Sequence, residues 1–501
     1  MKHKNAAQNN PSWQWLGFAA IAFFVLIVYS PSLMHAPRAD QIMYLTEVGH
    51  KKTLWDLTIG CLDLNRHRQF NPGDEVLFRP LAYILLGAEK FFFGYKFLLW
   101  QGLGILLHLG VIWCLLRLLL TVFPGWPAII ATAFFAFMFT NMEMVVWHHI
   151  NSYMVFVIAI LVALRYFYGI LVSKSIENKK YLAVSLWLLL AAFTHEMGSI
   201  AAAGLGLVLW FLKPKERALV AWVWAVPLIY GALSLLDARI HPFTFTKSLP
   251  PAFATGIGHT FHNWLYAMGV WTYTGLFPSE LQWLFAARNM IAPSEQELLK
   301  PLHFNLWPTS LAMCALAGYI WCLLKQKRRR IWDFKKTIGL TSLAFAVVFA
   351  AIIAVGRGNQ VAMWDVLRVN TYYMYIFWVF LVVGLYAVID WAQVKVEAKQ
   401  MLAFFIATLI LCNAFKLYPA LDKQARENND ILVLVRTMDL LVKEHGQEPD
   451  FSFYVDEHYP GNYIYEELRR KDDPLREYSL IEALYPQYFT SQAPKYKFLV
   501  K

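Results

Sequence analysis

Long apolar stretches separated by short charged ones dominate the chain. At roughly 17–25 apolar residues per membrane crossing, the pattern predicts about eleven spans, at 13–33, 97–123, 128–142, 152–173, 181–194, 197–212, 218–236, 309–324, 337–355, 371–392 and 401–418. Residues 80–94 are read differently. Arg79, Pro80, Glu89 and Lys90 bracket only a dozen apolar residues, which suits an interfacial helix better than a crossing. Residues 181–212 are read as a tight helical pair rather than one long tilted helix. A single helix would put two strongly basic loops on opposite sides of the membrane. Beyond Tyr418 the pattern changes: Asp422–Glu444 alternates as an amphipathic helix, and Phe451-Ser452-Phe453-Tyr454-Val455 reads as a strand followed by a Pro460-Gly461 turn. The expected fold is therefore an α-helical polytopic membrane protein, with a membrane domain over 1–418 and a small extracytoplasmic α/β domain over 419–501.

Charge orients this arrangement. The short loops Lys174–Lys180, Lys213–Arg217, Lys325–Lys336 and Lys395–Lys399 are all basic. With the amino terminus in the cytoplasm, the span count puts every one of them inside, as basic cytoplasmic loops require. Loops 34–96, 143–151, 237–308 and 356–370 and the tail then lie outside. In a bacterial-type cell this means the plasma (inner) membrane. The run from Trp13 to Leu33 lacks a small-x-small cleavage site and reads as an uncleaved anchor.

Composition agrees and excludes other classes. Of 501 residues, 58% are hydrophobic and only 16% charged, against about 25% charged in soluble domains. The net charge of +11 fits basic loops and anionic lipid headgroups. No basic patch interleaved with exposed aromatics points to nucleic acid. Five cysteines, four of them in apolar runs, read as small buried hydrophobes rather than a disulfide framework.

Polar chemistry concentrates in the outer loops. Asp40 follows the first span by about seven residues. It suits either a base or cation ligand or an N-cap for Gln41–Val48. Arg38 and Arg79 bound the same loop, and arginine forks suit phosphate. The other loop charges, Glu47 to Glu75, read as solvated surface. Glu143 stands at a membrane boundary, where an ionisable group is costly unless paired or wet. Trp147-His148-His149 follows. Adjacent histidines on a helix point about 100° apart, so they chelate one ion poorly, and interfacial histidines are the plainer reading. Thr194-His195-Glu196 marks the tip of the 181–212 pair, and a carboxylate there is a functional candidate. Arg357, Asp365 and Arg368 precede the span that begins Thr371-Tyr372-Tyr373; those arginines snorkel or bind phosphate. His108, inside a span, reads as a satisfied bundle histidine. Loop 237–308, with His259-Thr260-Phe261-His262-Asn263-Trp264, reads as an interfacial aromatic belt.

Several short motifs, taken in order, resemble GT-C class membrane glycosyltransferases, nearest to the membrane half of TPR-containing protein mannosyltransferase-like proteins and their bacterial relatives. Phe78-Arg79-Pro80-Leu81 followed by Phe93-Gly94 is similar to their RPL…fG block. Met142-Glu143-Met144-Val145-Val146-Trp147 is similar to their h-x-E-a-V-x-W stretch, and Leu107-His108-Leu109 to an lHll segment. Arg368 with Tyr372 and Tyr373 resembles a late RY element, and Asp40 matches the acidic residue of the first outer loop. The likeness covers roughly residues 14–380. Thr194-His195-Glu196 stands where Ser-Lys-Glu is usual, Gln101 and Gly104 replace a His and an Asn, a single acid replaces a pair at Asp40, and no TPR array follows.

The resemblance implies inverting transfer of a hexosyl or pentosyl unit from a polyprenyl-phosphate sugar to a hydroxyl of a glycan, lipid or protein acceptor, outside the cytoplasm. It implies Asp40 as base or as a ligand of Mg or Mn, joined at the cation by His148. Glu143 and Glu196 would support Asp40. Arg79, Arg368 and Arg38 would hold the donor phosphate, and His195, His149 and Tyr372 the substrate. A lipid-linked glycan polymerase or ligase shares the same lipid-phosphate chemistry. A flippase or transporter also places charges at helix ends. The chain, however, shows no clear internal repeat and no pair of Gly/Pro-broken spans.

Overall fold

The computed structural model describes residues 11–35, 53, 55, 78–94, 96–173, 175–240, 257–276, 334–357, 371–389, 391, 394–427, 452–455 and 497–500. They are helical almost throughout. In chain order the helices are α1 (Pro11–Tyr29), α2 (Pro80–Phe93), α3 (Phe97–Val122), α4 (Trp126–Ala136), α5 (Met142–Val146), α6 (Asn151–Val172), α7 (Asn178–Thr194), α8 (Met197–Leu212), α9 (Arg217–Ile240), α10 (Ile257–Leu276), α11 (Phe334–Arg357), α12 (Thr371–Val388) and α13 (Val396–Glu427). Two short strands, β1 (Ser452–Val455) and β2 (Lys497–Val500), pair in parallel with Ser452 opposite Lys497.

Among the described residues six helices are long and apolar enough to cross a membrane. The number is seven when the pair Trp126–Ala136 and Phe139–Val146, bent by 59°, counts as one span. The protein is thus an α-helical membrane protein that meets the bilayer through several apolar helices. Helices α1, α3, α6, α9, α11 and α13 cover six of the expected spans. The expected span 309–324 and most of loop 34–96 lie outside the described residues.

The chain divides into two compact units. One comprises 1–27, 107–144 and 153–417; the other comprises 28–106, 145–152 and 418–501. In the first unit α12 is the central helix: Tyr372 to Phe380 are all buried. It packs most extensively against α11. A Cβ on Gly339 would stand 3.0 Å from the Gly384 carbonyl oxygen, and one on Gly384 would stand 3.2 Å from that of Gly339. Small residues at the crossing let the two backbones approach, the usual route to tight helix pairing in lipid.

Helices α7 and α8 form the expected antiparallel hairpin, turning at His195-Glu196. Gly198 is required there, because a Cβ would collide with the backbone of Ala191 and Ala192. Helix α10 departs from expectation, since 257–276 is a continuous helix inside what reads as an aromatic loop. Its buried residues Leu265, Met268 and Trp271 recur at helical spacing. The interspersed His259, His262, Asn263 and Thr272 lower its hydropathy and conceal it. Trp264 and Trp271 are packing residues rather than an interfacial belt. Trp264 Nε1 donates to the Val347 carbonyl at 3.0 Å, and the carbonyl of Trp271 accepts from Trp378 Nε1 at 2.8 Å. Helix α13 also runs past the expected end at 418, through Pro419 to Glu427, helped by an Arg426–Asp422 pair at 2.8 Å.

In the second unit α2 is a 14-residue helix, the short element expected for 80–94. Pro80 sits in its first turn, where a missing N–H costs nothing. His35, just past the 3-10 turn Ser30–Met34 that follows α1, is fully buried, and its Nε2 donates to the Leu421 carbonyl at 2.9 Å.

Candidate functional site

In the first unit, polar chemistry gathers at the tip of the α7–α8 hairpin. Thr194 turns its hydroxyl back onto the helix, donating to the carbonyls of Leu190 (3.0 Å) and Ala191 (2.9 Å). His195 then leaves the helix in an extended conformation, φ −157° and ψ 132°, which swings its ring into the bundle. The ring is buried, and its Nδ1 accepts the Met197 backbone N–H at 3.3 Å. The neutral imidazole therefore carries its proton on Nε2. Glu196 Oε2 lies 3.5 Å from the same Nδ1, and the Glu196 side chain keeps 25% exposure.

Aromatic rings wall this pair. Tyr153 meets the His195 ring edge-on at 4.8 Å, Phe156 lies at 5.1 Å and Phe349 at 6.4 Å. Tyr153 in turn meets Tyr372 at 6.0 Å, Tyr372 meets Tyr373 at 4.2 Å, and Trp271 stacks on Tyr373 at 6.4 Å. Three expected site residues, His195, Glu196 and Tyr372, thus belong to one cluster. A half-open carboxylate beside an imidazole and phenol rings can accept hydrogen bonds from hydroxyls and offer flat apolar faces to a ring. Glu143, half-buried on α5, belongs to the same unit.

His108 is the satisfied bundle histidine the sequence suggests. Its Nδ1 accepts from the Tyr375 hydroxyl at 2.8 Å and its Nε2 donates to the Ala136 carbonyl at 3.2 Å. The first unit also holds a cleft of about 570 Å³ between α4, α10, α11, α12 and α13, with walls such as Phe134, Met268 and Phe377. Tyr386, Trp391 and Lys399 also line it. Tyr386 is fourteen residues along α12 from Tyr372, about 21 Å at helical rise.

The second unit holds a polar island that the sequence reading does not single out. Asn151 Nδ2 donates to Glu89 Oε1 at 3.2 Å, joining α2 to the start of α6. Gln101 Nε2 donates to His148 Nε2 at 3.1 Å and lies 3.4 Å from the Val146 carbonyl. Gly104, one turn beyond Gln101 on α3, admits the chain here: a Cβ would collide with the Val145 carbonyl oxygen. Trp100 closes one side, its Nε1 donating to the Gly94 carbonyl at 3.0 Å and its ring 5.6 Å from that of His148. Glu89, Lys90, Gln101, His148 and Asn151 are all buried. Burial pushes the Glu89 carboxyl up to about 8, against which the Asn151 hydrogen bond pulls only partly. Burial likewise lowers the Lys90 ammonium to about 7. The available signal was the Glu89-Lys90 pair itself, two ionisable groups inside a short apolar helix.

Arg79 precedes α2 half-buried, its carbonyl accepting from the Ala82 N–H at 3.0 Å. His148 is engaged by Gln101, as above. The backbone of His149 lies on the adjoining turn His148–Ile150. Asp40, Arg38 and Arg368 lie outside the described residues, as does the His149 side chain. Among the described residues no group of three or more His, Cys, Asp or Glu side chains comes together. Comparison of the chain with known protein families, with curated proteins and with solved structures finds no match.

Proposed function

We propose that this chain is a polytopic membrane glycosyltransferase of the GT-C type, moving a sugar from a polyprenyl-phosphate donor to a hydroxyl acceptor at the non-cytoplasmic face. The observation that carries the reading is the His195–Glu196 pair at a helical hairpin tip, walled by Tyr153, Tyr372 and Tyr373. Carboxylate and imidazole suit sugar hydroxyls, and aromatic faces suit sugar rings. In this reading the chain crosses the membrane about eleven times, with its amino terminus inside and an α/β segment outside.

Asp40 is the base or cation ligand, with Mg or Mn as the cation. Glu143 and Glu196 bind hydroxyls. Arg79, Arg38 and Arg368 neutralise the donor phosphate, while His195, His149 and Tyr372 contact the substrate. The apolar cleft lined by Phe134, Met268 and Phe377 suits part of an isoprenoid tail. Positioning and electrostatics supply most of the acceleration.

The test is transfer by the purified full-length protein in nanodiscs, using polyprenyl-phosphate sugars, with and without chelator. The expected result is transfer by the wild type and a loss of about 100-fold or more in Asp40→Asn. Unchanged transfer in that variant removes Asp40 from its role. Binding of no lipid-linked sugar favours a transporter instead.

A further inference from the structure

Two arginines lie on spanning helices of the first unit, Arg117 on α3 and Arg165 on α6, with no acidic partner among the described residues. Helices α3 and α6 meet where a Cβ on Gly110 would stand 3.1 Å from Ile158 Cδ1. Seven residues further along each helix stand Arg117 and Arg165. Two turns on both helices carry them about 10 Å beyond that contact. Arg165 is indeed close enough for its charge to act on both Arg117 and the Cys114 thiol.

Neither guanidinium meets a carboxylate among the described residues. Arg117 lies over the Trp113 ring at 5.3 Å, Trp113 stacks on Trp15 at 4.4 Å, and Arg165 is exposed. The neighbouring lysines differ. Lys180 is paired with Glu177 at 2.7 Å, and Lys213 has Glu216 at 3.6 Å and the Ser173 carbonyl at 2.9 Å. Lys180 and Lys213 are therefore compensated, whereas among the described residues Arg117 and Arg165 meet no carboxylate.

A charge on a lipid-facing helix is costly unless paired, and two like charges side by side add repulsion. An anion between them relieves both. Arg117 is five residues from the end of α3, and Arg165 seven from the end of α6. Those offsets are about 8 and 10 Å, a depth reached by a lipid phosphate rather than by a soluble ion. Tryptophans such as Trp15 and Trp113 favour the same interfacial band. We propose that Arg117 and Arg165 form a binding site for the phosphate of an anionic glycerophospholipid, in the leaflet bordered by the basic loop 174–180. Guanidinium forks suit that group. The site is separate from the His195–Glu196 cluster and does not depend on the transferase reading.

The test is native mass spectrometry of the full-length protein released from nanodiscs that contain equal phosphatidylglycerol and phosphatidylcholine. The wild type should retain phosphatidylglycerol about tenfold over phosphatidylcholine. Arg117→Gln with Arg165→Gln should bring the ratio near one, whereas Lys395→Gln, at an exposed position before α13, should leave it unchanged. Should the double variant lose its helicity or monodispersity, Arg165→Gln alone, at an exposed position, should still lower the ratio. Equal retention of the two lipids by the wild type overturns the proposal, as does an unchanged ratio in the folded arginine variants. Displacement of phosphatidylglycerol by millimolar inorganic phosphate would make this a site for free phosphate and would equally overturn it.

Discussion

The two polar islands use similar residue types in opposite ways. The first-unit cluster at His195–Glu196 leaves its carboxylate a quarter exposed beside aromatic faces. In the second unit the Glu89–Asn151 and Gln101–His148 pairs are closed on all sides, and Glu89 retains 3% exposure. A closed island cannot touch a substrate, so its hydrogen bonds act on stability by fastening α2 and the start of α3 to the turn before α6. An open carboxylate contributes little to stability and remains available for binding. Burial, more than residue identity, separates a lock from a site.

Breaking the lock should have the largest effect on stability. Asn151→Leu removes the hydrogen-bonded partner of a buried carboxyl and should destabilise the protein by about 3 kcal/mol, read as a lowered thermal midpoint in detergent. A change below about 1 kcal/mol would mean that the island fastens nothing.

Titration gives the next largest effect. The Glu89 carboxyl moves from 4.5 to about 8 on folding, so the folded state keeps a proton that the unfolded state releases. Stability should fall as pH rises through that window, by up to about 1.4 kcal/mol per pH unit. Lys90 moves the other way, from 10.5 to about 7, so stability should rise as pH increases from about 7 to 10.5. The thermal midpoint should therefore pass through a minimum near pH 7–8. Glu89→Gln should flatten the acidic limb and Lys90→Met the alkaline one, and limbs surviving those changes would assign the titration elsewhere.

The smallest effect sharpens the contrast from the other side. Glu196→Gln should change stability by only about 0.5 kcal/mol, as expected for a partly exposed pair. A loss comparable to that of Asn151→Leu would place Glu196 in a lock as well.

Much of the fold is legible in the sequence because lipid imposes one dominant rule, the length of an apolar run. That rule finds α1, α3, α6, α9, α11 and α13, and the basic loops break 181–212 into the hairpin α7–α8. It fails for α10, where histidines, Asn263 and threonines dilute a helix whose buried face is Leu265, Met268 and Trp271. It cuts α13 short as well, since Pro419 and the charges after it look like an end. Of the candidate site, His195, Glu196 and Tyr372 stand out as polar groups at helix boundaries and do come together. The second island does not stand out, because its contacts join Glu89 to Asn151 across 62 positions and Gln101 to His148 across 47. No local pattern records such pairings, and only tertiary packing creates them.

The most direct measurement is sugar transfer by purified Glu196→Gln and Glu89→Gln proteins, side by side at pH 6, where Glu89 is neutral in the wild type and in Glu196→Gln. The account predicts that Glu196→Gln loses about 100-fold of the wild-type rate while remaining folded, and that Glu89→Gln stays within about threefold, under 1 kcal/mol of barrier. Full activity in Glu196→Gln, or loss confined to Glu89→Gln, would contradict it.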